Sequence, residues 1–137
     1  MTTDSTASEG SVPIRSESDV VGSRQLVRKL TQQIHFSLVD QTKMITAASE
    51  LSRNTLIYGG GGVMEWTLHR DGLRAGLTLS FVDEGPGIPD LDLAMKDGWT
   101  SGGGLGKGLS GSKRLVNEFA LQSTVGQGTR VTITRWK

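Results

Sequence analysis

The chain has no cysteine among its 137 residues. Disulfide staples and cysteine-ligated zinc are thereby excluded, and the composition fits a reducing cytosol. Nor is there an excess of charge: 15 Lys plus Arg against 14 Asp plus Glu leaves +1. Such a balance gives no support to a general affinity for nucleic acid or for an acidic membrane, and neither is expected as a partner. No apolar run approaches the ~20 residues of a membrane span, and the N-terminus lacks a signal-peptide apolar segment. A cytoplasmic, soluble protein is expected. Internal repeats are absent too, and the length suits one domain.

What the chain does have is glycine, 19 residues of it. Two stretches concentrate it: D-E-G-P-G-I-P-D from Asp83 to Asp90, and G-G-G-L-G-K-G-L-S-G from Gly102 to Gly111. Glycine loses more freedom on folding than any other residue, so both stretches need a reason.

The polar, small residues 1–11 are expected to form a disordered tail before a single domain over 12–137. V-P-I-R-S-E-S-D-V-V (12–21) reads as an edge strand, and a helix follows with Ser23 as its cap. Asp40 is the expected cap of a second helix, whose apolar stripe of Met44, Ile45, Ala48, Leu51, Thr55 and Leu56 ends before Gly59. Alternation over V-M-E-W-T-L-H-R and A-G-L-T-L-S-F-V predicts an antiparallel pair around D-G-L-R. A long loop over 85–104, a helix from Leu105 to Phe119 and a final strand pair around G-Q-G complete the chain. This order predicts an α+β fold with a mixed β-sheet and helices on one face.

Gly106, Gly108 and Gly111 satisfy G-x-G-x-x-G, but no strand precedes them and no acidic residue follows at ribose-binding distance. Walker A fails because Gly108, not Ser or Thr, follows Lys107. A glycine-led helix start remains suited to an anion, the alternative being a flexible loop without a ligand. Asp83 closes an apolar strand beside a reversal made by Gly85, Pro86 and Gly87. As an acceptor-only group it suits a ligand amine such as that of adenine, or it is a simple turn former. Glu50 and Asn54 are four apart on the second helix and so share a face. An amide oxygen suits Mg2+ and a carboxylate can take a hydroxyl proton, although such a pair is commonly just solvated helix surface.

Together, E-L-S-R-N (50–54), D-E-G-P-G-I (83–88), G-G-L-G-K-G-L (103–109) and G-Q-G-T (126–129) resemble the N, G1 and G2 boxes and terminal Gly-Thr of the GHKL ATPase superfamily. Within it the chain is most similar to the small anti-sigma-factor regulatory serine/threonine kinases, over about residues 12–136. The resemblance implies a Bergerat ATP-binding fold, with ATP and Mg2+ as cofactors. It implies that Asp83 receives the adenine amine, with Thr129 close by through water, that Gly85 and Gly87 admit the base without a Cβ clash, and that Ile88 is a cofactor-binding residue. Asn54 would coordinate Mg2+. Gly103, Gly104, Leu105, Gly106, Lys107, Gly108 and Leu109 would form a lid over the phosphates, and Glu50 would be the general base toward a protein hydroxyl. Lys107 departs from the small or apolar residue of relatives, and is read as touching the γ-phosphate or as solvated. The implied partners are a STAS-domain antagonist as substrate and a phosphatase-type activator target. The competing reading is an anti-sigma factor or nucleotide-gated binding module with little phosphotransfer; a detached histidine-kinase catalytic domain is a third. His35 lacks a phosphoacceptor context and reads as a helix-end histidine, His69 has no sequence partner, and Trp99 is the tryptophan expected at a partner.

Overall fold

Capping chemistry and helical spacing set the first half of the chain. The computed structural model describes residues 8–71, 74–95 and 105–137. Strand β1 (Glu9–Ile14) leads into helices α1 (Glu17–Gln33) and α2 (Leu38–Ile57), and the hairpin of β2 (Gly62–Asp71) and β3 (Arg74–Asp83) follows. A short α3 (Leu91–Ala94), then α4 (Leu105–Arg114), β4 (Glu118–Thr124) and β5 (Gly128–Trp136) complete the order.

Both expected helix caps move upstream. Ser16 caps α1 by accepting the Asp19 N–H at 3.2 Å, and the Asp19 carboxylate accepts the Arg15 N–H at 2.8 Å. Ser37, not Asp40, caps α2 by accepting the Asp40 N–H at 3.1 Å. In each case the serine caps, and the acid three residues on sits in the first turn beside the positive helix end. Ser23 is instead buried inside α1, where its hydroxyl donates to Val20 O and meets Ser52 Oγ of α2 at 2.9 Å. At the other end of α1, His35 donates to Gln32 O and Phe36 to Thr31 O, a left-handed closure with His35 at φ 61°. The helix-end reading of His35 is correct.

β1 also starts before the expected Val12. Glu9, Gly10 and Ser11, assigned to the tail, pair with Thr67, Trp66 and Glu65 of β2. The helix expected over 105–119 stops at Arg114, and Glu118 and Phe119 belong to β4. The loop expected over 85–104 contains α3; its residues 96–104, with Trp99, lie outside the described residues.

The α+β class holds, but the sheet is antiparallel throughout rather than mixed, in the order β1-β2-β3-β5-β4. Two antiparallel helices return the chain to the end of β1 that it left, so β2 runs against β1. The crossover through α4 carries the chain past a gap that β5 then fills. β3 and β4 are thereby parallel to each other but never adjacent.

The core lies between the helices and one face of this sheet. Met44, Ala47, Ala48 and Leu51 of α2 are buried with Met64, Leu77, Leu79, Phe81, Val131 and Ile133. Arg135 joins the layers by bonding Asp40 of α2 and donating to Leu115 O at 2.9 Å. The opposite face is laced by hydroxyls: Thr78 meets Thr134 at 2.7 Å and Ser80 meets Thr132 at 3.0 Å. His69 Nε2 lies 2.7 Å from Thr78 Oγ1, a partner invisible in the sequence. Among the described residues no helix is long and apolar enough to cross a membrane.

Candidate functional site

Strand alternation sends Leu77, Leu79 and Phe81 into the core, and Asp83 is the next residue of that row. A carboxylate therefore stands where the core face ends. Its register partners are Thr129 of β5 and Gly62 of β2. Above this corner α2 contributes Leu51, Asn54, Thr55 and Tyr58, spaced by three or four residues and so on one face. The space between is a cavity of about 290 Å³, close to the small end of ligand pockets.

The cavity is apolar with a few polar groups. Leu51, Phe81, Ile88, Leu109 and Val131 give it flat hydrocarbon walls, and Pro86, Pro89 and Asp90 border it. Asp83 is the carboxylate facing inward from the strands. Burial raises its pKa above the usual 3.8, and the backbone N–H groups of Gly85 and Thr129 oppose that rise. The Gly85 N–H reaches Asp83 Oδ1 at 2.9 Å. A ligand amine donating to this carboxylate would replace the water that burial removed.

Thr129 is oriented by a residue the sequence did not flag. Ser123 Oγ accepts the Ile88 N–H at 2.8 Å, donates to Gly128 O at 3.1 Å and meets Thr129 Oγ1 at 2.9 Å. Ser123 has one proton, already given to Gly128, so the Thr129 hydroxyl donates to Ser123. The lone pairs of Thr129 are left for a water or a ligand donor. Asn54 completes the polar set, with a buried Nδ2 that has no hydrogen-bond partner. A buried, unpaired amide in a cavity wall fits a site that a polar ligand completes.

The glycines have a different reason from the one expected. A Cβ on Gly85 would lie 2.8 Å from Gly59 Cα, and one on Gly87, at φ 78°, 2.5 Å from Thr124 O. The chain's own backbone, with or without a base, excludes side chains at both. Gly87 lines the cavity and Gly85 stands behind Asp83. Gly59, read from sequence only as a helix stop, is placed so that a Cβ would strike the Asp83 carboxyl.

Not every expected residue is gathered here. Glu50, one turn before Asn54, is exposed and outside the described cavity wall, about 6 Å away along the helix axis. Gly103 and Gly104 lie outside the described residues. Leu105, Gly106, Lys107 and Gly108 are already backbone of the first turn of α4, and Leu109 is buried against the cavity.

Residues 39–137 match the family described as histidine kinase-, DNA gyrase B- and HSP90-like ATPases. The serine/threonine-protein kinase RsbT of Bacillus subtilis is 43% identical over 125 residues, 91% of this chain and 94% of that protein. An anti-sigma F factor of a Thermoanaerobacter species is 27% identical, over 83% of this chain and 82% of its own. Among solved structures, the RsbU and RsbW domains of Rv1364c from Mycobacterium tuberculosis superpose with a TM-score of 0.65 at 19% identity. That likeness covers 93% of this chain and 32% of the solved one, and it speaks for the fold. With the cavity at the end of an antiparallel sheet and these relatives along nearly the whole sequence, the chain belongs to the histidine kinase-, DNA gyrase B- and HSP90-like ATPase family.

Proposed function

We propose that the chain is an ATP-dependent serine/threonine protein kinase of a cytoplasmic partner-switching module that regulates a sigma factor. Its substrate is a STAS-domain antagonist, and its second partner is a phosphatase-type protein that it activates. The observation that carries this reading is the 43% identity to a serine/threonine kinase over nearly the full length of both chains, joined to a cavity in which one buried carboxylate faces apolar walls.

In this reading adenine lies between the apolar walls and donates its amine to Asp83. The hydroxyl of Thr129, held by Ser123, accepts from a bridging water. Asn54 would hold Mg2+ through its hard amide oxygen, and the ion would supply charge neutralisation to the phosphates. The first turn of α4 offers free N–H groups and a positive dipole end to the phosphates. Glu50, outside the cavity and exposed, stands where a hydroxyl presented by another protein can be met. It takes the proton as the hydroxyl oxygen bonds to the γ-phosphorus, the bond to the β-phosphate oxygen breaks, and ADP leaves.

The test is phosphotransfer from Mg-ATP to a STAS-domain partner by wild type and Glu50→Ala. Wild type should form phosphoserine or phosphothreonine, and the variant should be slower by roughly a hundredfold or more at unchanged ATP affinity. Equal rates would remove the role given to Glu50. The similarity to an anti-sigma F factor favours a second reading, a nucleotide-gated module that sequesters its partner. Stable ATP-dependent capture of a sigma factor without phosphoprotein would support it.

A further inference from the structure

A glycine that stops a helix is ordinarily there for its backbone, because the residue that closes the last turn takes a left-handed conformation. At the end of α2 that conformation belongs to Gly60 and Gly61, at φ 74° and 102°. Gly59, just before them, has no positive φ, so stopping the helix does not account for its missing side chain. Its surroundings do. A Cβ at Gly59 would strike the Asp83 carboxyl and lie 2.6 Å from Asp83 Cβ, so the space for a side chain is already filled by that of Asp83. The Asp83 Cβ is fixed by its strand, and turning the carboxyl to another rotamer does not clear the overlap. An alanine at 59 has to displace the end of β3 or the end of α2.

The same glycine is tied to the other polar group of the cavity. Its N–H donates to Asn54 O at 3.2 Å, beside the Tyr58 N–H on that carbonyl at 2.9 Å. Gly85, likewise without a positive φ, closes over it from the strand side: a Cβ there would lie 2.8 Å from both Gly59 Cα and Gly59 O. The Gly85 N–H in turn holds Asp83 Oδ1 at 2.9 Å. A single residue without a side chain thus bridges Asn54 of α2 and Asp83 of β3, hydrogen-bonded to one and packed on the other.

We propose that Gly59 is a positioning residue, which keeps the Asp83 carboxylate in fixed register with Asn54 so that one nucleotide meets both. The proposal rests on the reading of the cavity as a nucleotide site. A side chain at 59 takes the place of the carboxylate and moves the two groups apart.

Mg-ATP is titrated into the full chain as wild type, Gly59→Ala and Gly60→Ala. Gly60 has positive φ and open space where a Cβ would stand. Gly60→Ala should therefore lower the urea midpoint while the folded protein keeps wild-type ATP affinity. Gly59→Ala should lower that affinity about tenfold or more, a loss that destabilisation does not bring to a chain still folded. Stability gives a second readout without nucleotide. Gly59→Ala should lower the midpoint in wild type and equally in Asp83→Asn, which keeps the shape of the side chain. In Asp83→Gly, which vacates the space, most of that effect should vanish. If Gly59→Ala does not fold, adding Asp83→Gly should restore folding, and failure to do so overturns the proposal. Wild-type ATP affinity in Gly59→Ala, or the same midpoint loss in all three backgrounds, overturns it while the nucleotide reading stands. A wild type that binds no ATP overturns that reading, and the proposal with it.

Discussion

Asp83 carries a conflict between stability and binding. Its pKa is raised by burial, so the folded chain holds the proton more tightly than the unfolded chain does. The corresponding stability is complete below the unfolded value near 3.8 and is lost as pH rises through the raised folded value. Above that raised value the nucleotide-free protein bears a charged carboxylate at a cost. Asp83→Asn should raise the thermal midpoint of the nucleotide-free protein at neutral pH, with the advantage gone in acid below the unfolded pKa. The same variant should lose roughly tenfold to a hundredfold in ATP affinity, because a charged acceptor becomes a neutral amide. Calorimetry across pH and a nucleotide titration check the two halves. Asp83 was legible because it continues an alternating apolar strand, and Asn54 because E-L-S-R-N keeps helical spacing. Ser123 was not, because its importance comes from three hydrogen bonds to segments distant in sequence or around a turn. A serine in an alternating strand carries no such mark.

Among the elements, ends were harder to read than interiors. The α2 stripe and the hairpin followed from period alone, whereas the α2 cap was displaced because a serine and an acid three residues apart both qualify for the same position, and the α1 cap because the first turn, Glu17–Val21, read as strand. The closure of α1 puts a non-glycine residue, His35, at φ 61°. His35→Gly should stabilise the fold by about 0.5–1 kcal/mol, the relief of a left-handed conformation less the extra entropy of glycine when unfolded. The opposite holds in the strand-to-loop turn after β3. Gly87→Ala should destabilise by about 1–3 kcal/mol, since Gly87 has positive φ and its Cβ would meet the Thr124 carbonyl. Urea titrations should show midpoints moving in opposite directions with unchanged slopes.

For the whole molecule, composition and element order were sufficient for the α+β class but not for the pairing. Strand order depends on which gap a late strand fills, and nothing local in T-R-V-T-I-T-R-W says that β5 enters between β3 and β4. The assembled site makes one global expectation. Mg-ATP at about a hundred times its Kd should stabilise the fold by about 2.7 kcal/mol, roughly ten degrees in thermal midpoint. Glu50→Ala should shift equally and Asp83→Asn should not, as scanning fluorimetry can determine. The place of β5 between β3 and β4 also bears on synthesis. A ribosome releases Gly128–Trp136 after every other element described here, yet this strand supplies Thr129 opposite Asp83 and the link between β3 and β4. Until it emerges, β3 has an unpaired edge and β4 has no sheet partner. Nucleotide binding, and any competition between partners, can begin only after translation has passed that point.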